Sequence, residues 1–159
     1  MAGGDGVKYC FDASAFIEME KTYPVEIFAT LWEKVEDCII AGCIEAPGEV
    51  LKELSVKDDN IHKFVKKHKE KIIVKNNNEL MTKSAEIVAN YPKLIDVLST
   101  KPQADPFVIA LAKINERKVV TMEKPAYNIK NPKIPDVCKA ENVAYIDLLE
   151  FFKQEKIIV

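Results

Sequence analysis

Acidic side chains are the residues of this sequence with the clearest capacity for chemistry. Five of them follow short apolar runs or lie near the start of predicted helices: Asp12, Glu49, Glu53, Asp105 and Glu123. Carboxylates that a fold holds close together repel one another, so they must be protonated or neutralised. Mg²⁺ or Mn²⁺ neutralises them through oxygen ligands, and such an ion polarises a phosphodiester and activates a water for attack. These acids therefore indicate metal-assisted phosphodiester hydrolysis.

Other catalytic chemistries lack the residues that they need. His62 and His68 are six positions apart in a lysine-rich stretch, which gives neither an H-E-x-x-H motif nor a well-placed base for a serine or cysteine nucleophile. Gly42 and Gly48 are the only glycines beyond the N-terminal stub, so neither a P-loop nor a G-x-G-x-x-G turn can be formed. The four cysteines form no C-x-x-C pair, and we expect them to be reduced, mainly structural residues.

The composition is that of one globular domain. The chain has 159 residues, of which 48% are hydrophobic and 30% charged. We expect residues 7–159 to form the domain and residues 1–6 to be a disordered or artificial stub. The net charge of −2 and the single arginine, Arg117, exclude a strongly basic nucleic-acid coat. No apolar run is long enough for a membrane span or a secretory signal, so we expect a cytoplasmic protein without membrane contact.

Short apolar runs alternate with helical periodicity along the chain. Strands are predicted over residues 7–11, 43–46, 72–74, 118–121 and 143–146. Helices are predicted over residues 24–41, after Pro47, after residues 76–78, after Pro106 and over residues 148–153. Strands this short, separated by helices, are typical of βαβ units with a parallel sheet covered on both faces. The prediction is one three-layer α/β/α domain with a short central parallel sheet.

This arrangement places the acids at one edge of the sheet. Asp12 ends the first strand, Glu49 and Glu53 lie in the first turns of the helix after the second, Asp105 precedes Pro106, and Glu123 closely follows the fourth strand. Ligands of open parallel sheets bind outside the carboxyl ends of the strands. Each acid also has a structural interpretation, as a helix N-cap, as a partner of a helix dipole or as a solvated loop residue. The alternative is that the acids form one ligand-binding site, and it is supported by their common position at one edge of the sheet.

Four sequence blocks resemble the PIN-domain ribonucleases, and most closely a PIN-like subfamily known as a domain of unknown function. The blocks are Y-C-F-D-A-S-A-F-I, A-P-G-E-V-L-K-E-L, A-D-P-F-V-I-A-L-A-K and V-V-T-M-E. They occur in the family's order and extend over roughly residues 7–150. The resemblance implies a PIN-like fold, an acidic pocket for one or two Mg²⁺ or Mn²⁺ ions, and endonucleolytic cutting of RNA. It further raises a toxin-type role, with an antitoxin-like protein as partner.

The resemblance implies a catalytic and metal-binding role for four acids: Asp12, Glu53, Asp105 and Glu123. The secondary candidates are Ser14, Glu49, Thr121 and Asp136. Glu123 departs from the family, because most PIN sequences have Asp at this position. Glu49 lies one helical turn before Glu53 and competes with it for the place of the second acid. Asp136 is either a further acid at the rim of the pocket or a carboxylate at the start of a helix.

Lysines supply the candidate contacts with RNA. Lys124, Lys130 and Lys133 follow Glu123 in a proline-containing loop, where they and Tyr127 can meet a phosphate backbone or stack a base. The lysine run at residues 57–75 is either a solvated helix face or a surface that steers phosphates. A catalytically weak or inactive PIN-like module that binds RNA or protein is the alternative function. A homodimer through the helix at residues 24–41 is a further possibility. A D-x-D phosphatase or a receiver domain is disfavoured, because Asp12-Ala13-Ser14 lacks the second acid.

Overall fold

Five parallel strands form the centre of the fold in a computed structural model that describes residues 8–57 and 59–158. The predicted stub at residues 1–6 lies outside the described residues. The strands, in chain order, are β1 Tyr9–Phe11, β2 Ile44–Pro47, β3 Ile73–Val74, β4 Lys118–Val120 and β5 Tyr145–Ile146. Their spatial order is β3-β2-β1-β4-β5, and each neighbouring pair is parallel. The chain thus builds one half of the sheet outwards from β1 and the other half from β4, and the direction changes between these two strands.

Helices flank the sheet, which confirms the predicted three-layer α/β/α domain. They are α1 Ala13–Thr22, α2 Ala29–Ile40, α3 Gly48–Lys57, α4 Asp59–Lys67, α5 Lys69–Ile72, α6 Asn78–Asn90, α7 Asp105–Asn115, α8 Ile134–Ala140 and α9 Leu148–Gln154. A short 3-10 turn, Pro92–Leu94, follows α6. Within residues 8–57 and 59–158, no helix has both the length and the apolar character that crossing a bilayer requires.

An aromatic cluster fixes the central strand against two helices. Phe11, at the end of β1, is fully buried, and its ring centroid lies 4.9 Å from that of Phe16 on α1 and 5.0 Å from that of Phe151 on α9. Tyr9 meets Phe151 edge to face at 4.8 Å. Such contacts add to the stabilisation that burial of the rings provides. They hold the end of β1, and therefore the residue that follows it, in a fixed position.

The structure corrects the predicted beginnings of two helices. Pro24 does not open α2, because its carbonyl accepts the N–H groups of Ile27 and Phe28 in a turn and the helix begins only at Ala29. A separate helix, α1, occupies the segment directly after Asp12, for which the sequence predicted no element. The helix α7 begins at Asp105 itself, and Pro106 lies inside its first turn.

Most of the lysine run at residues 57–75 is helical and forms α4 and α5.

Gly42 ends α2 and turns the chain into β2. Its N–H donates to the carbonyl of Ile39 at 3.0 Å, and the N–H of Cys43 donates to the carbonyl of Cys38 at 2.9 Å. This pair of bonds is the Schellman arrangement, which requires a left-handed residue at the position that Gly42 occupies with φ +83°. The glycine is therefore needed for its backbone conformation.

We expect Gly42→Ala to lower the free energy of unfolding by about 1 kcal/mol, because a Cβ disfavours the left-handed conformation. No heavy atom lies within 4 Å of a Cβ built at Gly42, so strain in the backbone is the only expected cost. Gly48→Ala is the matched control, since Gly48 also has open space around the added Cβ but no positive φ. Urea denaturation measures both. Equal effects of the two substitutions would contradict this interpretation.

Candidate active site

Asp12 lies at the point where the direction of strand addition changes. Its N–H donates to the carbonyl of Val120 at 2.9 Å, so the residue bridges the carboxyl ends of β1 and β4. The side chain is only 3% exposed. One carboxylate oxygen caps α1 by accepting the N–H of Ala13 at 2.8 Å. The other accepts the hydroxyls of Ser14 at 2.6 Å and Thr121 at 3.0 Å. The carboxylate is thus oriented from three sides.

The hydroxyls of Ser14 and Thr121 extend this network to the chain after β4. The Ser14 hydroxyl oxygen accepts the N–H of Met122 at 2.9 Å, and that of Thr121 accepts the N–H of Glu123 at 3.1 Å. Each hydroxyl therefore donates to Asp12 and accepts from the segment that continues towards the fourth acid. Ser14 and Thr121 therefore position the Asp12 carboxylate and the backbone after β4, which is a geometric reason to keep both as secondary candidates.

Glu53 and Asp105 approach Asp12 from two different helices. One carboxylate oxygen from each of the three residues lies within 4.8 Å of the others. Glu53 lies in the second turn of α3, and Asp105 is the first residue of α7. The helix α7 has no side-chain cap, so the N-cap role that its Asp-Pro sequence suggests is not performed by Asp105. The three acids that the sequence placed at one edge do lie together.

One oxygen of Glu53 has no partner in this arrangement. Its Oε1 is buried without a hydrogen-bond partner. A buried acceptor without a donor costs free energy. A cation held between the three carboxylates would satisfy that oxygen. The all-oxygen donor set matches the preference of Mg²⁺ and Mn²⁺.

Glu123 lines the same cleft but is not part of the three-acid group. Its Oε1 accepts the N–H of Ile134 at 3.0 Å, at the start of α8. This hydrogen bond directs one of its oxygens to the protein backbone. The cleft that the four acids share has a volume of about 270 Å³. Glu123 therefore forms its wall, next to the group of Asp12, Glu53 and Asp105.

The pKa values of the four carboxyls are all raised above their ordinary values, in each case chiefly by burial. For Glu53, burial and then the charge of Asp12 raise the pKa to about 7. The pKa of Asp105 is raised by burial and then by the charges of the other three acids. In Asp12, the hydrogen bonds from Ser14 and Thr121 oppose the effect of burial on the pKa. The cleft thus gathers more negative charge than its own cations neutralise.

Two lysines also line the cleft: Lys57, the first residue of the lysine run that the sequence offered as a phosphate-steering surface, and Lys21, which the sequence did not single out. Lys57 lies one turn after Glu53 on α3, and its charge lowers the pKa of Glu53, Asp105 and Glu123 against the larger effect of burial. Lys21 lies on α1, seven residues after Ser14. The spacing of Glu53 and Lys57 at i and i+4 is the sequence signal that could have identified the first. No comparable signal identifies Lys21, because its place depends on how α1 packs.

The structure separates Glu49 from Glu53. The Oε2 of Glu49 lies 3.5 Å from the Nζ of Lys52 and 3.4 Å from the Nδ2 of Asn76, and its side chain does not line the cleft. Although both acids lie on α3, Glu53 alone joins Asp12 and Asp105. The geometry thus favours Glu53 as the second acid.

Asp136 organises the loop after β4. Its carboxylate accepts the N–H groups of Ala126, Tyr127 and Lys133 at 2.8–2.9 Å. Burial alone would raise the pKa of Asp136, but these hydrogen bonds outweigh it and lower the pKa. Asp136 is not among the residues that line the acidic cleft, so the interpretation as a helix-start residue matches its contacts. The predicted RNA contacts Lys124, Lys130 and Lys133 are exposed on the same loop.

A second group of possible ligand atoms lies at the opposite edge of the sheet, formed by Cys38, Cys43 and Glu155. Glu155 accepts the hydroxyl of Tyr9 at 2.5 Å, and a carboxylate oxygen lies 3.8 Å from the Nζ of Lys8. Burial raises the pKa of the Cys38 thiol. A protonated thiol beside a carboxylate that already has hydrogen-bond and ionic partners needs no metal ion. We therefore interpret Cys38, Cys43 and Glu155 as a structural contact. All four cysteines of the chain are free and buried.

Comparisons with known proteins give a family and a fold. The family model of a domain of unknown function, DUF4411, matches residues 9–159. No curated protein matches the sequence. Among solved structures, VapBC-1 from nontypeable Haemophilus influenzae is similar with a TM-score of 0.52 at 13% identity, over 90% of this chain and 98% of that one. VapBC2 from Rickettsia felis, bound to a DNA fragment from their promoter, is similar with a TM-score of 0.51 at 11% identity, over 89% and 98%. The predicted PIN-like fold is confirmed.

The raised pKa values predict that the metal-free protein loses stability as the pH rises. A carboxyl whose pKa is higher in the folded state binds more protons there, so the free energy of unfolding falls between the ordinary pKa and the raised one. We therefore expect Glu53→Gln to raise the melting temperature by a few degrees at about pH 8 and to have little effect at about pH 5. Scanning calorimetry in EDTA measures this.

Glu49→Gln is the control for that experiment, because it makes the same change one turn away on the same helix, where Lys52 is the neighbour. It should give no stabilisation that grows with pH. If Glu53→Gln lowered the melting temperature equally at both pH values, the carboxylates would not be repelling one another.

Proposed function

The chain belongs to the DUF4411 family, and on that premise we propose that it is a metal-dependent endoribonuclease with the acidic cleft as its active site. The observation that carries the proposal is the approach of three carboxylate oxygens, from Asp12, Glu53 and Asp105, to within 4.8 Å of one another. The unpartnered Oε1 of Glu53 supports it because, unlike the unpartnered Oε1 of Glu49, it belongs to a residue of the three-acid group, where a cation would satisfy it. The donor set suits Mg²⁺ or Mn²⁺.

Asp12, Glu53 and Asp105 would hold the metal, and Glu123 would face it from the wall of the cleft. A bound Mg²⁺ or Mn²⁺ would supply charge stabilisation and a water of lowered pKa for in-line attack on a phosphodiester. Ser14 and Thr121 hold the Asp12 carboxylate in one orientation, which precise metal binding requires.

Lys57 and Lys21 would contact the substrate's phosphate in this proposal. Both line the cleft, and Lys57 is close enough to the acids to alter their pKa. A lysine ammonium beside the reacting phosphate would stabilise the negative charge that grows in the transition state. These two residues join the exposed lysines of the loop after β4 as candidate RNA contacts.

We propose RNA as the substrate and a toxin-type nuclease as the biological role of the protein. The two similar solved structures are VapBC toxin–antitoxin structures, in which VapC is a PIN-domain ribonuclease. By this analogy an antitoxin-like protein would be the partner. The net charge of −2 favours substrate binding through local lysines over a broad basic surface.

A binding module without catalysis is the second candidate, and one observation favours it. Glu123, the fourth acid, accepts the N–H of Ile134 and stands outside the three-acid group. A site with three acids in place of four would hold a metal less strongly. This candidate would keep the PIN-like fold and bind RNA or protein through the same surfaces.

We expect the protein to cleave single-stranded RNA in Mn²⁺ or Mg²⁺ and to be inactive in EDTA. Asp105→Asn and Glu53→Gln should each lower the cleavage rate by more than the roughly 10- to 100-fold that is typical when an outer partner of a metal ligand is lost. Glu49→Gln should cleave at the rate of the unchanged protein. The measurement is a time course on a panel of labelled RNAs. Cleavage that survives both EDTA and Asp105→Asn would exclude the acidic cleft as its source.

Calorimetric titration with Mn²⁺ distinguishes the enzyme from the binding module. We expect Mn²⁺ binding that Asp105→Asn abolishes and that weakens from about pH 8 to about pH 6, because protons compete with the metal for carboxyls of raised pKa. Glu49→Gln should leave the titration unchanged. A binding module predicts no uptake of Mn²⁺ that depends on Asp105.

A further inference from the structure

The loop between β4 and α8, residues 123–133, joins the acidic cleft to an exposed surface; we call it the prolyl loop, after Pro125 and Pro132. Its first residue, Glu123, lines the cleft, and the Glu123 carboxylate accepts the N–H of Ile134 just after the loop ends. Both ends of the loop are therefore fixed at the rim of the candidate active site. Whatever the loop binds is bound beside that site.

Hydrogen bonds hold the prolyl loop in one conformation. Asp136 organises the loop, because its two carboxylate oxygens accept the N–H groups of Ala126, Tyr127 and Lys133. Within the loop, the side chain of Asn128 accepts the N–H of Lys130 at 3.1 Å. A loop with this many internal acceptors presents its side chains in a defined geometry. Little entropy remains to be lost when a ligand binds.

Tyr127 is presented to solvent at the cost of backbone strain. Its φ is +57°, a left-handed conformation that is an outlier for a bulky residue, and the N–H bond to Asp136 helps to hold it there. The side chain is 87% exposed. Among the described residues, no aromatic ring packs against it. A tyrosine that is neither buried nor stacked, on a backbone held rigid, offers both faces of its ring to a planar ligand.

The charge around Tyr127 suits an anion. Lys124, Lys130 and Lys133 are exposed on the same loop. The two acids nearby, Glu123 and Asp136, direct carboxylate oxygens to backbone N–H groups. An exposed ring flanked by lysines is the combination that binds single-stranded nucleic acid, in which bases stack on aromatic rings and phosphates meet cations.

We propose that Tyr127 is a base-stacking residue for single-stranded RNA, and that the prolyl loop forms a substrate subsite next to the acidic cleft. This proposal rests on the proposed function for its substrate class. It adds a contact with one unpaired base beside the scissile region. Asp136 is the positioning residue of the subsite, because it fixes the backbone that presents the ring.

Fluorescence anisotropy with a short labelled single-stranded RNA of mixed sequence, measured in EDTA, tests the stacking without cleavage. We expect Tyr127→Ala to weaken binding roughly 5- to 150-fold, the range that corresponds to the loss of one base–aromatic stack. Tyr127→Phe and Tyr127→Trp should bind as the unchanged protein does, because both keep the ring. Leu98→Ala is the control, since Leu98 is 89% exposed on a different loop and is expected to have no effect.

The outcomes separate this proposal from the proposed function. In Mn²⁺, Tyr127→Ala should raise the KM for RNA and leave kcat near its original value, as expected for a contact made equally in the ground and transition states. Cleavage by a Tyr127→Ala protein that binds RNA normally would overturn the stacking proposal and leave the nuclease intact. Binding that depends on Tyr127 without any cleavage would overturn the nuclease alone. If Tyr127→Ala left RNA binding unchanged but abolished binding of a protein partner, the loop would be a protein-docking surface.

Discussion

Repulsion between buried carboxylates is the constraint on which the account of this molecule depends. Burial raises the pKa of Asp12, Glu53 and Asp105, and the charges of neighbouring acids raise the pKa of Glu53 and Asp105 further. One oxygen of Glu53 has no hydrogen-bond donor. A fold that served stability alone would separate such groups or give each a cation of its own. Lys57 relieves the charge only in part. The remaining imbalance is the physical basis for the proposal that the cleft binds a divalent cation and carries out phosphodiester chemistry.

The sheet topology explains how residues so distant in the chain come together. Because β1 and β4 are neighbours while the chain continues outwards from each, their connections diverge at the carboxyl ends and leave a cleft. Asp12 directly follows β1 at this point and hydrogen-bonds to the end of β4, through the carbonyl of Val120 and the hydroxyl of Thr121. Glu53 and Asp105 approach Asp12 from the early turns of α3 and α7, whose buried residues are mostly apolar. The aromatic packing around Phe11 supplies the rigidity that such a site needs.

The sequence predicted the fold and the gathering of acids at one edge of the sheet because both follow from local patterns; the structure then reduces the predicted four-acid pocket to a group of three, with Glu123 on its wall. Short apolar strands that alternate with helices indicate a parallel sheet, and acids just after those strands must share its edge. Contacts between helices and loops could not be predicted in the same way. Lys21 reaches the cleft through the packing of α1, and Asp136 folds back on three N–H groups of a loop whose path no periodicity describes. Pro24 misled the prediction, because proline stabilises a turn as readily as the first turn of a helix.

The most direct test of the central claim is a crystal structure of the protein soaked in Mn²⁺, with data collected at a wavelength where manganese scatters anomalously. The account predicts an anomalous peak between the carboxylates of Asp12, Glu53 and Asp105, with Oε1 of Glu53 among the ligands. A peak located only at other residues, or no peak in this cleft at saturating Mn²⁺, would contradict it.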